Sequence, residues 1–190
     1  MTGTLWLIAG PNGVGKTSYA RRYFRELSGA DEFVNLDEIG RGLMPLRATP
    51  DAATGAAAAR IALGRVAGNI AAGKTFAVET TLAGRTHLRT IAAARAAGMA
   101  TQLVFCMLPD ITTCLARIAT RVAGGGHAVP EADARRRFLR APANFATYAA
   151  AVDHYVILDT QLGEPRPVLS GPPRSVADAA LLAGLPAVLH

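Results

Sequence analysis

An α/β fold, with a parallel central sheet and helices on both faces, is predicted by three features of this 190-residue sequence. Short apolar segments alternate with segments of helical composition, the pattern of parallel βαβ units. A glycine-rich turn joins the first strand to the first helix. The length suits one domain, so residues 1–190 are expected to form a single unit. With 51% hydrophobic and 18% charged residues there is enough apolar surface for a core. That composition excludes intrinsic disorder as the main state.

The elements follow in order. Residues 4–9 read as a buried strand, and residues 15–27 as the helix that leaves the glycine-rich turn. Residues 33–36 suggest a short second strand. Residues 51–72 have helical composition and run into Gly73. Residues 75–79 form a short apolar strand, and 85–97 a helix stopped at Gly98. Residues 101–108 are the strongest buried strand, closed by Pro109. A helix over 111–122 ends at the three glycines 124–126, and a second helix over 131–151 carries Pro142 as a point of bending. Residues 155–158 read as another strand. From Gln161 onward lie five of the eleven prolines. An edge strand or loop is expected there, then a weak helix over 175–185.

The charge is unevenly placed. Of 20 basic residues only Lys16 and Lys74 are lysine, and the net charge is +6. Between residues 115 and 140 six arginines face only Glu131 and Asp133. A basic chain suits nucleic acid or a phosphorylated small molecule. The longest stretch without a charged residue or histidine side chain is 15 residues, 1–15, followed by 14 residues over 96–109, both shorter than the about 20 that a membrane helix needs. The first residues lack the basic start of a secretory signal. Cys106 and Cys114 have no metal-ligand or disulfide-framework spacing, which fits a reducing cytoplasm.

Gly10-Pro11-Asn12-Gly13-Val14-Gly15-Lys16-Thr17 reads G-x-x-x-x-G-K-T between a strand and a helix. This is a phosphate loop: its glycines let consecutive N–H groups turn inward onto phosphate oxygens. Lys16 is expected at the β- and γ-phosphates, Thr17 at Mg²⁺, and Ser18 completes the nucleotide-binding stretch. The fold class is then the three-layer P-loop NTPase/kinase fold. A small chain favours a small-molecule kinase using ATP.

Two acidic positions follow. Asp37, about 20 residues beyond the lysine, falls where an open α/β sheet places its crevice, and its carboxylate can accept the proton of an attacking hydroxyl. The bland reading is that Asp37 caps the next helix; Glu38 should point elsewhere. Glu79-Thr80-Thr81 closes the next strand. Glu79 suits a water of the Mg²⁺ shell or a substrate hydroxyl, and the threonines suit substrate. Arg85 and His87 either touch a substrate phosphate or lie on a helix surface.

Residues 117–140 form an arginine-rich helical lid. Arg117 and Arg121 share one helix face, the glycines supply a hinge, and Pro130 and Glu131 open a new helix. Arginines arriving on closure would neutralise charge on the transferring phosphoryl group and exclude water. Arg135, Arg136 and Arg137 are consecutive, so at most two can face the site; Arg135 or Arg136 is the expected one. His127 reads as a structural loop residue.

Together Gly10–Thr17, Asn35-Leu36-Asp37-Glu38, Phe76–Leu82, Gly125–Glu131 and Arg135–Phe138 resemble the zeta toxin family, over about residues 4–160. The resemblance implies ATP-dependent phosphorylation of UDP-N-acetylglucosamine. It implies Lys16 at the ATP phosphates, Asp37 as base, Glu79 and Thr81 on the substrate side, lid arginines at Arg121 and Arg135 or Arg136, and Arg117 near the adenine. An antitoxin partner is implied for the larger members. The helix over 51–72 holds no acid after Asp51, whereas larger members carry a substrate-binding acid there. Other acceptors (a dinucleotide, a nucleoside, an antibiotic hydroxyl) stay open, as does a nucleotide-gated binder without acceptor. A nucleic-acid role would want aromatics among the arginines, and between 117 and 140 only Phe138 qualifies. Residues 158–160 are expected to border the adenine site.

Overall fold

A computed structural model describes residues 3–24, 29–30, 32–44, 52–126, 128–162 and 164–172. The expected helix over 175–185, the role of His127 and the end of the first helix lie outside these residues. The elements are β1 (Thr4–Ala9), α1 (Lys16–Tyr19, wound on as a π turn over Ala20–Phe24), β2 (Glu32–Val34) and α2 (Leu36–Gly42). Next come α3 (Ala52–Ala71), β3 (Phe76–Thr80), α4 (Thr86–Ala96), β4 (Ala100–Met107) and α5 (Ile111–Ala123). The chain continues through α6 (Glu131–Ala151), β5 (His154–Asp159) and β6 (Arg166–Gly171).

The sheet order is β2-β3-β1-β4-β5-β6. The first five strands are parallel. β6 returns antiparallel to β5 with an irregularity at Ile157/Leu158. It is the edge strand that the proline-rich end suggested, and Pro167 is tolerated there. The predicted α/β class and helical lid are thus present. Two boundaries moved for a physical reason. β2 stops at Val34 because Asn35 turns out of the strand to cap α2. Leu36, expected in the strand, therefore starts a helix.

Apolar side chains alternate across the sheet and build the two faces. On one face Leu5, Leu7, Phe105 and Tyr155 pack under α3, α4 and α6 through Val66, Ile91, Phe145 and Tyr148. On the other, Val104, Cys106 and Leu158 pack with Val14 and Cys114, and Ile8 with Ala20 of the first helix. α6 serves both layers: Phe138 joins the second cluster and Phe145 the first. It runs unbroken through Pro142. Asn144 donates to the Leu82 carbonyl (2.8 Å) and Tyr148 to that of Gly84 (2.9 Å), tying α6 to the turn after β3.

Phe145 is fully buried against Phe105 (4.9 Å between centroids) and edge-on to Tyr155 (5.5 Å). Phe145→Ala should cost about 3–5 kcal/mol, read as a lowered urea midpoint with an unchanged slope.

Candidate active site

The site is built at the carboxyl ends of the parallel strands, around the loop after β1. Gly10 has φ 138°, and a Cβ there would collide with the Cys106 carbonyl of β4. Gly13 has φ 85°, and its Cβ would strike the Cys114 carbonyl at the head of α5. Side chains at either position would push the loop off the sheet. With both glycines the loop lies flat and α1 begins at Lys16, so the free N–H groups of its first turn face outward into a cavity.

That cavity holds about 660 Å³. Asn12, Gly13, Val14, Gly15, Lys16, Thr17 and Ser18 form its floor. Asp37 and Glu38 stand on one side with Glu79; Arg117, Arg121 and Thr160 stand on the other. Gly10 and Pro11, expected among the nucleotide contacts, form the stem of the loop and not the cavity lining. Pro11 instead uses its carbonyl to accept a hydrogen bond from Lys16 Nζ (2.9 Å).

The polar interior centres on Glu79. Its Oε2 accepts from Thr17 Oγ1 (2.7 Å) and Asn35 Nδ2 (2.8 Å), and its Oε1 lies 3.9 Å from Lys16 Nζ. Burial pushes Glu79 above the ordinary carboxylate range, opposed by Lys16 and the Thr17 hydroxyl. Burial likewise pulls Lys16 below the ordinary lysine range, opposed mainly by Glu79. The structure therefore sets Glu79 beside the phosphate-loop threonine. A hydroxyl and a carboxylate oxygen side by side are hard oxygen donors, as a Mg²⁺ that keeps several waters requires.

Several expectations change. Asp37 does not cap its helix: Asn35 does, accepting from the N–H groups of Asp37 and Glu38. Asp37 is thereby free to face the cavity. Glu38 points to Arg21 and pairs with it at 2.6 Å. Thr80, Thr81 and Arg85 do not line the cavity. A strand alternates its side chains, so Thr80 leaves the face that Glu79 occupies. Its Oγ1 accepts from the N–H of Leu82, whose φ of 58° turns the chain away. Arg85 sits exposed at the head of α4. His87, half-buried on the same helix, has Nδ1 3.5 Å from Thr90 Oγ1.

The lid arginines also differ from expectation. Arg135 pairs with Glu131 (2.7 Å) and Arg136 with Asp133 (2.7 Å), both on the outer side of α6. Arg137 is the one that reaches the phosphate loop, donating to Asn12 Oδ1 at 3.0 Å. The cause is the rotation that packs the partly buried Phe138 against the second core cluster. Arg117 donates to the carbonyls of Thr160 (2.9 Å) and Gln161 (3.0 Å), beside the expected adenine border. The Thr160 hydroxyl lies 2.6 Å from the Val14 carbonyl and 3.0 Å from that of Met107, pinning the loop to β4. No spacing rule in the sequence points to that contact.

Residues 5–142 match the family described as an AAA domain. No curated protein matches the chain in sequence. Among solved structures it is similar to the PezAT chromosomal toxin–antitoxin system of Streptococcus pneumoniae, with 15% identity, a TM-score of 0.64, and 97% of this chain and 78% of that one covered. It is similar to the AvrRxo1-ORF1:-ORF2 complex with ATP, with 19% identity, a TM-score of 0.69, and 95% and 62% covered. It is also similar to the Pnkp1/Rnl/Hen1 RNA repair complex, with 13% identity, a TM-score of 0.59, and 77% and 46% covered. The chain thus spans less than two thirds of the latter two. These likenesses show the fold, the one expected from the resemblance to zeta toxins. No helix among the described residues is long and apolar enough to cross a membrane.

Cys106, buried behind the phosphate loop, has its thiol pushed up to about 12 by burial, from an ordinary 9.0. The folded state then holds a proton that the unfolded chain loses above about pH 9, so stability falls as pH rises from there toward about 12. Urea midpoints measured from pH 8 to 11 should decline less steeply in Cys106→Ala than in the native chain.

Proposed function

The chain belongs to the AAA domain family, and from that membership and the geometry around Glu79 we propose that it is an ATP-dependent kinase acting on the hydroxyl of a small molecule. The observation that carries this reading is the placement of an available carboxylate, Asp37, across the cavity from a complete phosphate loop. The loop N–H groups and Lys16 hold the phosphates of ATP. Thr17 and Glu79 are the residues that would hold Mg²⁺, which when bound neutralises charge on the β- and γ-phosphates. Asp37 takes the proton of the acceptor hydroxyl as the hydroxyl oxygen bonds to the γ-phosphorus, and the bond from that phosphorus to the β,γ-bridging oxygen breaks to release ADP. Arg117 stands at the adenine end, while Arg121, with Arg137 of the lid helix, supplies positive charge to the transferring group. Arg135 and Arg136 serve that role only after the lid moves.

The acceptor we propose is a UDP-amino sugar, UDP-N-acetylglucosamine, on the strength of the motif resemblance to zeta toxins. Its likeness to PezAT supports including an antitoxin partner in the same reading. The lid and the edge strand pack on one sheet, which supports a single kinase domain.

Mass spectrometry of acceptor mixtures incubated with ATP and Mg²⁺ tests this. The mixtures hold UDP-sugars, NAD, nucleosides and short RNA. A UDP-amino sugar should gain one phosphate, and Asp37→Asn should slow this by about 10²–10⁴-fold while ATP still binds. Transfer to another acceptor alone would replace the substrate and keep the kinase. ATP consumption without any phosphorylated acceptor would sink it.

A further inference from the structure

The candidate base and the metal-side carboxylate stand on different elements, and one buried amide joins them. Asn35 is 4% exposed. Its Oδ1 accepts from the N–H of Asp37 (2.9 Å) and of Glu38 (3.2 Å). Its Nδ2 donates to Glu79 Oε2 (2.8 Å), the oxygen that also accepts from Thr17 (2.7 Å). A carboxamide carries its acceptor and donor on one rigid plane, so this orientation satisfies both ends. Rotated by 180°, it would set oxygen against oxygen at Glu79 and N–H against N–H at α2.

The need for such a link follows from α2 itself. It is seven residues long and buries none of its side chains. Ile39 is only partly buried against the core. Propensity and packing therefore fix its entry weakly, and the cap sets where Asp37 stands. Resting on the kinase reading above, we propose that Asn35 is a positioning residue that holds Asp37 and Glu79 in register, so that the acceptor's base and the Thr17–Glu79 pair move as one unit. It lines the cavity, but its own polar atoms are turned to α2 and Glu79.

Two substitutions separate its two ends. Asn35→Ser keeps an N-cap oxygen but is too short to reach Glu79. Asn35→Asp also keeps the cap and sets a carboxylate against Glu79. The charged or titratable groups already facing Glu79 are Lys16, Asp37, Glu38 and Cys106. An added negative charge raises the Glu79 titration midpoint.

The readouts are the urea midpoint, the ATP dissociation constant, the turnover of the phosphorylated acceptor, and the Glu79 carboxyl-carbon titration by NMR in ligand-free protein. Both variants should fold and bind ATP within about threefold of the native chain, yet transfer phosphate at least about tenfold more slowly through kcat. The Glu79 midpoint should rise in Asn35→Asp. Transfer by Asn35→Ser within twofold of native overturns the proposal, and so does an unmoved Glu79 midpoint in Asn35→Asp. Should the native chain phosphorylate no acceptor at all, the kinase reading fails by itself. The titration then decides Asn35 alone, a rise supporting the link to Glu79 and no rise removing it.

Discussion

A carboxylate taken out of water must find donors, and the site is organised by how Glu79 finds them. Its three partners come from two places in the chain: Lys16 and Thr17 at the head of α1, and Asn35 between β2 and α2. They meet because the sheet order sets β3 between β2 and β1. Unpaired, the buried charge would be costly. Paired, it binds three strand ends at one point. The phosphate loop, α2 and the sheet therefore share a single polar centre, and disturbing any partner reaches the other two.

The parts of this arrangement that are local in sequence were legible from it. The phosphate loop was, because glycines, lysine and threonine at fixed spacing are dictated by backbone curvature within eight residues. β1 and β4 were, because each is a short apolar run bounded by glycine or proline. What depends on packing between distant segments was not. α2 has no apolar periodicity to announce it, so Asn35 read as the continuation of a strand. Three consecutive arginines cannot reveal their own rotation; the packing of Phe138 against the second core cluster chose Arg137. Thr80, Thr81 and Arg85 looked like site residues because they adjoin Glu79, yet strand alternation and the turn at Leu82 carry them away. Thr160 holds the loop from 146 residues downstream.

The cavity divides along the same line. Its nucleotide half is made of backbone and of residues that the loop motif specifies, and structures as different as a toxin–antitoxin system and an RNA repair complex share its scaffold. The side that carries Asp37 rests on α2, a short helix with no buried side chain. The residues of α2 can change with little effect on the core, as expected where a site is grafted on a common fold.

The geometry of α6 carries a mechanical consequence. The helix is held at Asn144 and Tyr148 to the turn after β3, and its preceding span, packed through Ala141 and Phe138, reaches back to Arg137 on Asn12. Seven residues of helix measure about 10 Å, so a tilt of only about 10° about Asn144 sweeps the arginine by nearly 2 Å, enough to part a hydrogen bond. Pro142 lies within that arm and leaves the Phe138 carbonyl without its helical donor, the natural place for the arm to flex. The helix is thus a lever with its fulcrum in the core: motion too small to disturb Phe145 at the pivot becomes attachment or release of the lid at the tip.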